Sequence, residues 1–88
     1  MTGLAELTVR YFAGARTAAG RDSETLTVSP GLSTVDDVVR ELSNRHGPGL
    51  AKVLASCSYL LDETAVRDRF AALPSGATLD VLPPFAGG

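Results

Sequence analysis

Hydrophobic and polar residues alternate along four stretches of the chain, and this two-residue period predicts four β-strands. The first strand covers roughly residues 4–12, with Leu7, Val9 and Tyr11 on one face and Thr8, Arg10 and Phe12 on the other. The other three run through Leu26 and Val28, through Tyr59 and Leu61, and through Leu79 and Val81. Proline has no N–H to give to a sheet, so the last strand must end at Pro83 and Pro84 or lie at an edge.

The segment STVDDVVRELSNRHGPG has the period of a helix instead. Its apolar residues recur at i, i+3, i+4 and i+7, at positions Val35, Val38, Val39 and Leu42. Ser33 or Thr34 is suited to cap the start, acidic residues follow in the first turn, and Gly47-Pro48 ends the helix. AGARTAAG predicts a short helical turn that ends at Gly20, and LAKVLAS adds one further turn.

This order of elements, with one well-formed helix among strands, predicts an α+β fold. We expect a mixed four-stranded sheet with the main helix packed on one face. The 88 residues are enough for a single small domain, which we place at 1–83 and follow with a flexible tail at 84–88.

Composition excludes several classes of function. The net charge is −2 and the basic residues are scattered along the chain, so nucleic acid is not an expected partner. A single cysteine and a single histidine provide neither a disulfide nor a metal site. No signal peptide or membrane-spanning run is recognisable, so we expect a cytoplasmic protein.

The usual catalytic residues also have structural explanations. His46 lies in the last turn of the predicted helix, where its charged form is favoured, and Cys57 adjoins an apolar run as a packing residue would. The acidic pairs Asp36-Asp37 and Asp62-Glu63 fall at a helix start and in a turn. No glycine pattern matches a phosphate-binding loop.

The tail LPPFAGG is the remaining candidate. Gly87-Gly88 is the thinnest peptide possible and can enter a narrow channel in another protein. The terminal carboxylate is ionised and unreactive at neutral pH, so it needs activation, for example as a mixed anhydride with a nucleotide. Pro83-Pro84 would direct the tail away from the sheet, and Phe85 either folds back or contacts a partner. The alternative is an idle extension of a structural domain.

VRYFAGARTAAG and LPSGATLDVLPPFAGG resemble the small subunits of molybdopterin synthase, the MoaD-like members of the MoaD/ThiS sulfur carriers. The resemblance covers essentially the whole chain and implies a ubiquitin-like β-grasp fold. It implies that a MoeB-like enzyme of the ubiquitin-activating type uses ATP to adenylate Gly88, and that a sulfurtransferase provides the sulfur of a thiocarboxylate. A MoaE-like large subunit then passes this sulfur to cyclic pyranopterin monophosphate. No cofactor is expected to be bound to the carrier itself.

By position, the resemblance implies that Gly88 carries the sulfur and that Gly87 keeps the chain thin enough to enter the partner's channel. It implies that the partner is bound by Pro83, Pro84, Phe85 and Ala86. Two positions depart from the family pattern: Leu61-Asp62, where an asparagine is common, and bulky Phe85, where a smaller residue is common. The same tail also suits a sulfur carrier for thiamine or cysteine synthesis, or a ubiquitin-like modifier joined to target lysines.

Overall fold

The computed structural model describes residues 5–84. The strands are β1 (Glu6–Tyr11), β2 (Ser23–Thr27), β3 (Ser58–Leu61), β4 (Thr64–Ala65) and β5 (Thr78–Leu82). The helices are α1 (Ala13–Ala19), α2 (Val35–His46) and α3 (Pro48–Leu54). Phe85, Ala86, Gly87 and Gly88, four of the predicted site residues, lie outside the described range.

The strands form one mixed sheet in the order β2-β1-β5-β3-β4. β1 and β5 run parallel at its centre, and the other neighbouring strands are antiparallel. The predicted α+β class is therefore confirmed. The central position of β5 matters for function, because the last strand of the chain is held on both sides before the tail begins.

Helix α2 starts where the sequence predicts. The Thr34 hydroxyl accepts a hydrogen bond from the Asp37 N–H at 3.1 Å, while the Asp37 carboxylate accepts from the Thr34 N–H, which is a capping box. The Ser33 N–H also donates to Asp37 and, with the Thr34 contacts, lowers the pKa of this carboxyl group. These bonds fix the first turn, so the apolar stripe of the helix faces the sheet.

The core lies between the helices and one face of the sheet. Its largest fully buried side chains are Leu7, Val9, Val35, Val38, Leu42, Leu50, Leu54, Leu79 and Val81. Each such side chain contributes about 1.5–3 kcal/mol by leaving water. The opposite face of the sheet, which we call the open face, carries the alternate residues Thr8, Arg10, Leu60, Thr78, Asp80 and Leu82.

Two expectations need correction. Across residues 5–84 the sheet has five strands and not four, because the chain turns at Asp62-Glu63 and pairs Thr64–Ala65 with β3. A two-residue strand is too short to show an alternating pattern. The single turn expected in LAKVLAS is a seven-residue helix, because Pro48 begins it at a position where no N–H is needed.

The turn between β3 and β4 stores backbone strain. Asp62 and Glu63 have φ angles of 48° and 69°, in the left-handed region that costs a side-chain-bearing residue about 1–2 kcal/mol. The Asp62 carboxylate offsets part of this cost by accepting the Thr78 N–H at 2.9 Å. Glu63 has no such hydrogen bond among the described residues.

We expect Glu63→Gly to stabilise the protein by roughly 0.5 kcal/mol, because relief of this strain exceeds the entropy that glycine adds to the unfolded chain. Chemical denaturation provides the measurement. Glu63→Ala is the matched control, since it removes the same charge but keeps the strain. Equal stability of the two variants would show that charge, and not backbone conformation, sets the cost at this turn.

Candidate functional site

The root of the tail is the part of the predicted site that the structure describes. β5 ends at Leu82, as the two prolines require. Pro83 is half-buried and Pro84 is exposed. The chain therefore leaves the sheet at a defined point and not from a frayed end.

A shallow apolar groove of about 330 Å³ adjoins this point, lined by Phe12, Ala13, Leu82 and Pro83. We call it the root groove. Phe12, at 39%, is one of two large apolar side chains that are exposed among the described residues. An exposed apolar surface at the end of a strand is the type of surface that partner proteins bind.

The parallel pairing of β1 with β5 brings the two walls of the root groove together. The Phe12 N–H donates to the Val81 carbonyl at 3.3 Å, which continues the ladder by one residue and places Phe12 beside Leu82. Ala13 then turns the chain into α1 with a left-handed φ of 49°. Strain of this kind tends to persist where a surface has to be shaped for function.

Phe12 also occupies a position at which a helix favours another residue. It is the N-cap of α1, yet it makes no side-chain capping bond. Serine, threonine, asparagine and aspartate are favoured at N-caps by about 1 kcal/mol over apolar residues. A phenylalanine at this position therefore stabilises the helix less than a polar N-cap would, but it provides apolar surface at the root of the tail.

An ion pair supports the root groove from the open face. Arg10 donates from Nε to Asp80 Oδ1 at 2.6 Å and from Nη2 to Oδ2 at 2.9 Å, and the Asp80 side chain is only 7% exposed. These bonds raise the pKa of the Arg10 guanidinium. The guanidinium lies 5.8 Å from the centre of the Phe12 ring, within the range of a cation–π contact. Asp80 thus holds Arg10, and Arg10 holds one face of the aromatic ring.

His46 contacts a buried carboxylate on the other side of the molecule. Its Nε2 lies 2.5 Å from Glu24 Oε2, the Tyr11 hydroxyl donates to the same oxygen at 2.5 Å, and Arg45 donates to Oε1 at 3.2 Å. Burial alone would raise the pKa of Glu24, but these donors outweigh it and lower that pKa. The cluster joins α2 to β1 and β2, so a structural role explains His46.

Cys57 has a structural environment as well. Its thiol donates to the Val53 carbonyl at 3.2 Å, and burial raises the pKa of the thiol. Cys57 and His46 thus bond to different groups and do not form a dyad. Between residues 5 and 84, no three His, Cys, Asp or Glu residues are placed to hold a metal ion, and no helix is long and apolar enough to cross a membrane.

The sequence reasoning identified Pro83 of the root groove but missed Phe12, Ala13 and Leu82, and also the Arg10–Asp80 pair. One signal was present: alternation put Phe12 on the face opposite the core residues of β1. What the sequence does not show is which strands are neighbours, and only the β1–β5 pairing gives Phe12 a role at the tail.

The architecture is that of the ubiquitin-like β-grasp proteins. The solution structure of the HVO 2177 protein of Haloferax volcanii is similar with a TM-score of 0.80 and 33% identity, covering 100% of this chain and 91% of that one. The solution structure of small archaeal modifier protein 1 of Methanosarcina acetivorans has a TM-score of 0.77 and 25% identity, with 99% and 100% of the two chains covered.

The family is shown by sequence as well. The ThiS family model matches residues 9–88, and the chain belongs to this family. The molybdopterin synthase sulfur carrier subunit of Chlamydomonas reinhardtii is 31% identical over 84 residues, 94% of this chain and 99% of the relative. The human subunit of the same name is 31% identical over 90 residues and the full length of both proteins.

Proposed function

We propose that this protein is a sulfur carrier that acts as the small subunit of a molybdopterin synthase. The observation that carries the proposal is the root groove, an apolar docking surface placed where the central strand β5 passes into a Gly-Gly tail. Membership of the ThiS family and two full-length relatives named as sulfur carrier subunits support the same function.

The chemistry follows from the terminal carboxylate. An oxygen of Gly88 attacks the α-phosphate of ATP in the active site of an adenylating enzyme, pyrophosphate leaves, and the carbonyl becomes electrophilic. A hydrosulfide equivalent from a sulfurtransferase then displaces AMP and gives a thiocarboxylate. The sulfur of this soft nucleophile attacks a carbon of cyclic pyranopterin monophosphate in the large subunit. Water then hydrolyses the acyl–sulfur bond, which leaves the sulfur on the pterin and regenerates the Gly88 carboxylate.

In this scheme the carrier provides binding energy and position, while its partners provide catalysis. The root groove binds a side chain of the partner and so fixes the first residue of the tail. Pro83 and Pro84 limit the directions in which the next residues can point. Docking therefore orders a short segment at low entropic cost, and the reactive atom arrives at a defined distance from the sheet.

A ubiquitin-like modifier is the second candidate function. The similarity to small archaeal modifier protein 1 favours it, because the fold and the length of that protein match this chain. A modifier would use the same adenylated Gly88 but would transfer the carbonyl carbon to a lysine amine and not sulfur to a pterin. The products differ, and this difference allows the two functions to be separated.

Co-purification from the native organism is the experiment that tests the proposal. The tagged protein, with its C-terminus left free, should retain a molybdopterin synthase large subunit that mass spectrometry identifies. Recovery of isopeptide-linked conjugates without that subunit would support the modifier instead. Recovery of a thiazole-forming or cysteine-forming enzyme would keep the carrier chemistry and change the pathway.

A further inference from the structure

The sheet has a free edge at β2. Among the residues that the structure describes, this strand pairs with β1 alone. At its two ends, the Tyr11 N–H donates to the Asp22 carbonyl and the Val28 N–H donates to the Ala5 carbonyl. Backbone groups of an antiparallel pair point toward the partner at every second residue, so Ser23, Thr25 and Thr27 direct their N–H and C=O groups outward. Within residues 5–84, no other backbone group is hydrogen-bonded to them.

This edge lacks the features that usually prevent pairing. Exposed edge strands tend to carry a lysine, a proline or a bulge, or to be covered by another element. The residues of β2 read SETLT, and its one charged side chain, Glu24, is turned inward to Tyr11 and His46. Glu24 contacts Arg45 and His46 of α2, but a groove of about 440 Å³ lies between Thr25–Thr27 and the helix, so the helix does not cover this part of the edge.

We propose that β2 pairs antiparallel with β2 of a second copy of this chain, about a two-fold axis at Thr25. In this register Thr25 faces its own equivalent and Ser23 faces Thr27 of the other copy. Every outward N–H of one strand then meets an outward C=O of the other. The two Thr25 side chains lie next to each other on the open face, a favourable cross-strand pair.

The charges on α2 favour a second copy over an unrelated strand. Glu41 and Arg45 lie one helical turn apart on the wall of the groove and form an ion pair at 3.0 Å. A two-fold axis perpendicular to the sheet makes the two α2 helices antiparallel. Glu41 of each copy is thereby directed toward Arg45 of the other, and the surface is self-complementary as a two-fold interface requires.

The pairing is compatible with the proposed function but does not depend on it. β1 separates β2 from β5, and the root groove lies at the end of β1 beside β5. The dimer therefore leaves both root grooves open and carries two tails on one continuous sheet.

Sedimentation velocity of the full chain tests this inference over concentrations from about 10 μM to about 1 mM, since a weak dimer forms only as concentration rises. We expect a shift from monomer to dimer, and slower amide exchange at Ser23, Thr25 and Thr27 as the dimer forms. Thr25→Lys places like charges across the axis and should weaken dimerisation at least about tenfold.

Thr8→Lys is the matched control. Thr8 is the direct neighbour of Thr25 on the open face, but it lies on β1, whose backbone is bonded on both sides. This variant should dimerise like the wild type, and thermal unfolding of both variants checks that they fold. A monomer at all concentrations would overturn the inference, as would equal dimerisation of Thr25→Lys, or protection of the β2 amides only when an extended peptide of another protein is added.

Discussion

Deletion of Gly88 is expected to abolish sulfur transfer while leaving the fold intact. The new terminal carboxylate, on Gly87, ends about 3.5 Å short of the original position. A misplacement of 1 Å can cost about 100-fold in rate, so thiocarboxylate formation should fall by more than that factor. Single-turnover formation of the acyl-adenylate with the adenylating enzyme and ATP is the measurement.

The fold provides the control for this deletion. β5 ends at Leu82 and is paired on both sides, so the residues that hold the strand are remote from the deletion. The free energy of unfolding should change by less than about 0.5 kcal/mol. Appending one alanine after Gly88 should inactivate the carrier as well, because the carboxylate then lies too far out. Activity in either variant would show that the reacting carboxylate need not lie at the position of Gly88.

Phe12→Asp is expected to weaken binding of the large subunit by at least about 30-fold, equivalent to about 2 kcal/mol, because a charge replaces the aromatic wall of the root groove. The same change should leave stability within about 1 kcal/mol of the wild type. Aspartate at the N-cap of α1 provides the capping bond that Phe12 lacks, which offsets the lost contacts of the ring. Calorimetric titration and chemical denaturation measure the two effects separately.

Phe70→Asp is the matched control for this prediction. Phe70 is the other large apolar side chain exposed among the described residues, at 70%, and it does not line the root groove. Its replacement introduces the same charge with no expected loss of binding. If both variants bound as tightly as the wild type, the root groove would not be the docking surface. If both lost binding equally, general charge and not the groove would explain the effect.

The ion pair behind Phe12 explains why the root groove is pre-formed. Asp80 is nearly buried beside Asp62, Glu63 and Thr78, and without Arg10 its charge would have no cationic partner there. The pair therefore orders the Arg10 side chain, and Arg10 in turn limits the motion of the Phe12 ring. A surface that is ordered before binding loses less entropy when the partner arrives.

Much of the fold could be predicted from the sequence, because its main elements are long enough to show their periods. Val35, Val38 and Leu42 formed a visible stripe. Ser33 or Thr34, followed by acidic residues, marked the start of α2. The two-residue strand β4 could not be found in this way. The turn at Asp62-Glu63 was predicted, but the left-handed conformations that return Thr64–Ala65 to β3 were not.

The candidate site could be predicted from the sequence only in part. The tail was predicted as the site from Gly87-Gly88 and the prolines, and this stays a prediction because Phe85, Ala86, Gly87 and Gly88 lie outside the described residues. The root groove could not be recognised, because Phe12 and Leu82 are far apart in sequence and meet only through the parallel pairing of the first and last strands. Phe12 nevertheless occupies an N-cap, where a helix favours a small polar residue, and such conflicts with local preference often mark functional positions.

The central claim is that Gly88 carries sulfur, and intact-mass analysis of the protein from its native organism tests it most directly. The account predicts a fraction heavier by one oxygen-to-sulfur exchange, with fragmentation placing the added mass on the last residue. It also predicts that the adenylating enzyme, ATP and a sulfur donor increase this fraction in purified protein. An unmodified carboxylate as the sole species, both in cells and after such treatment, would contradict the account.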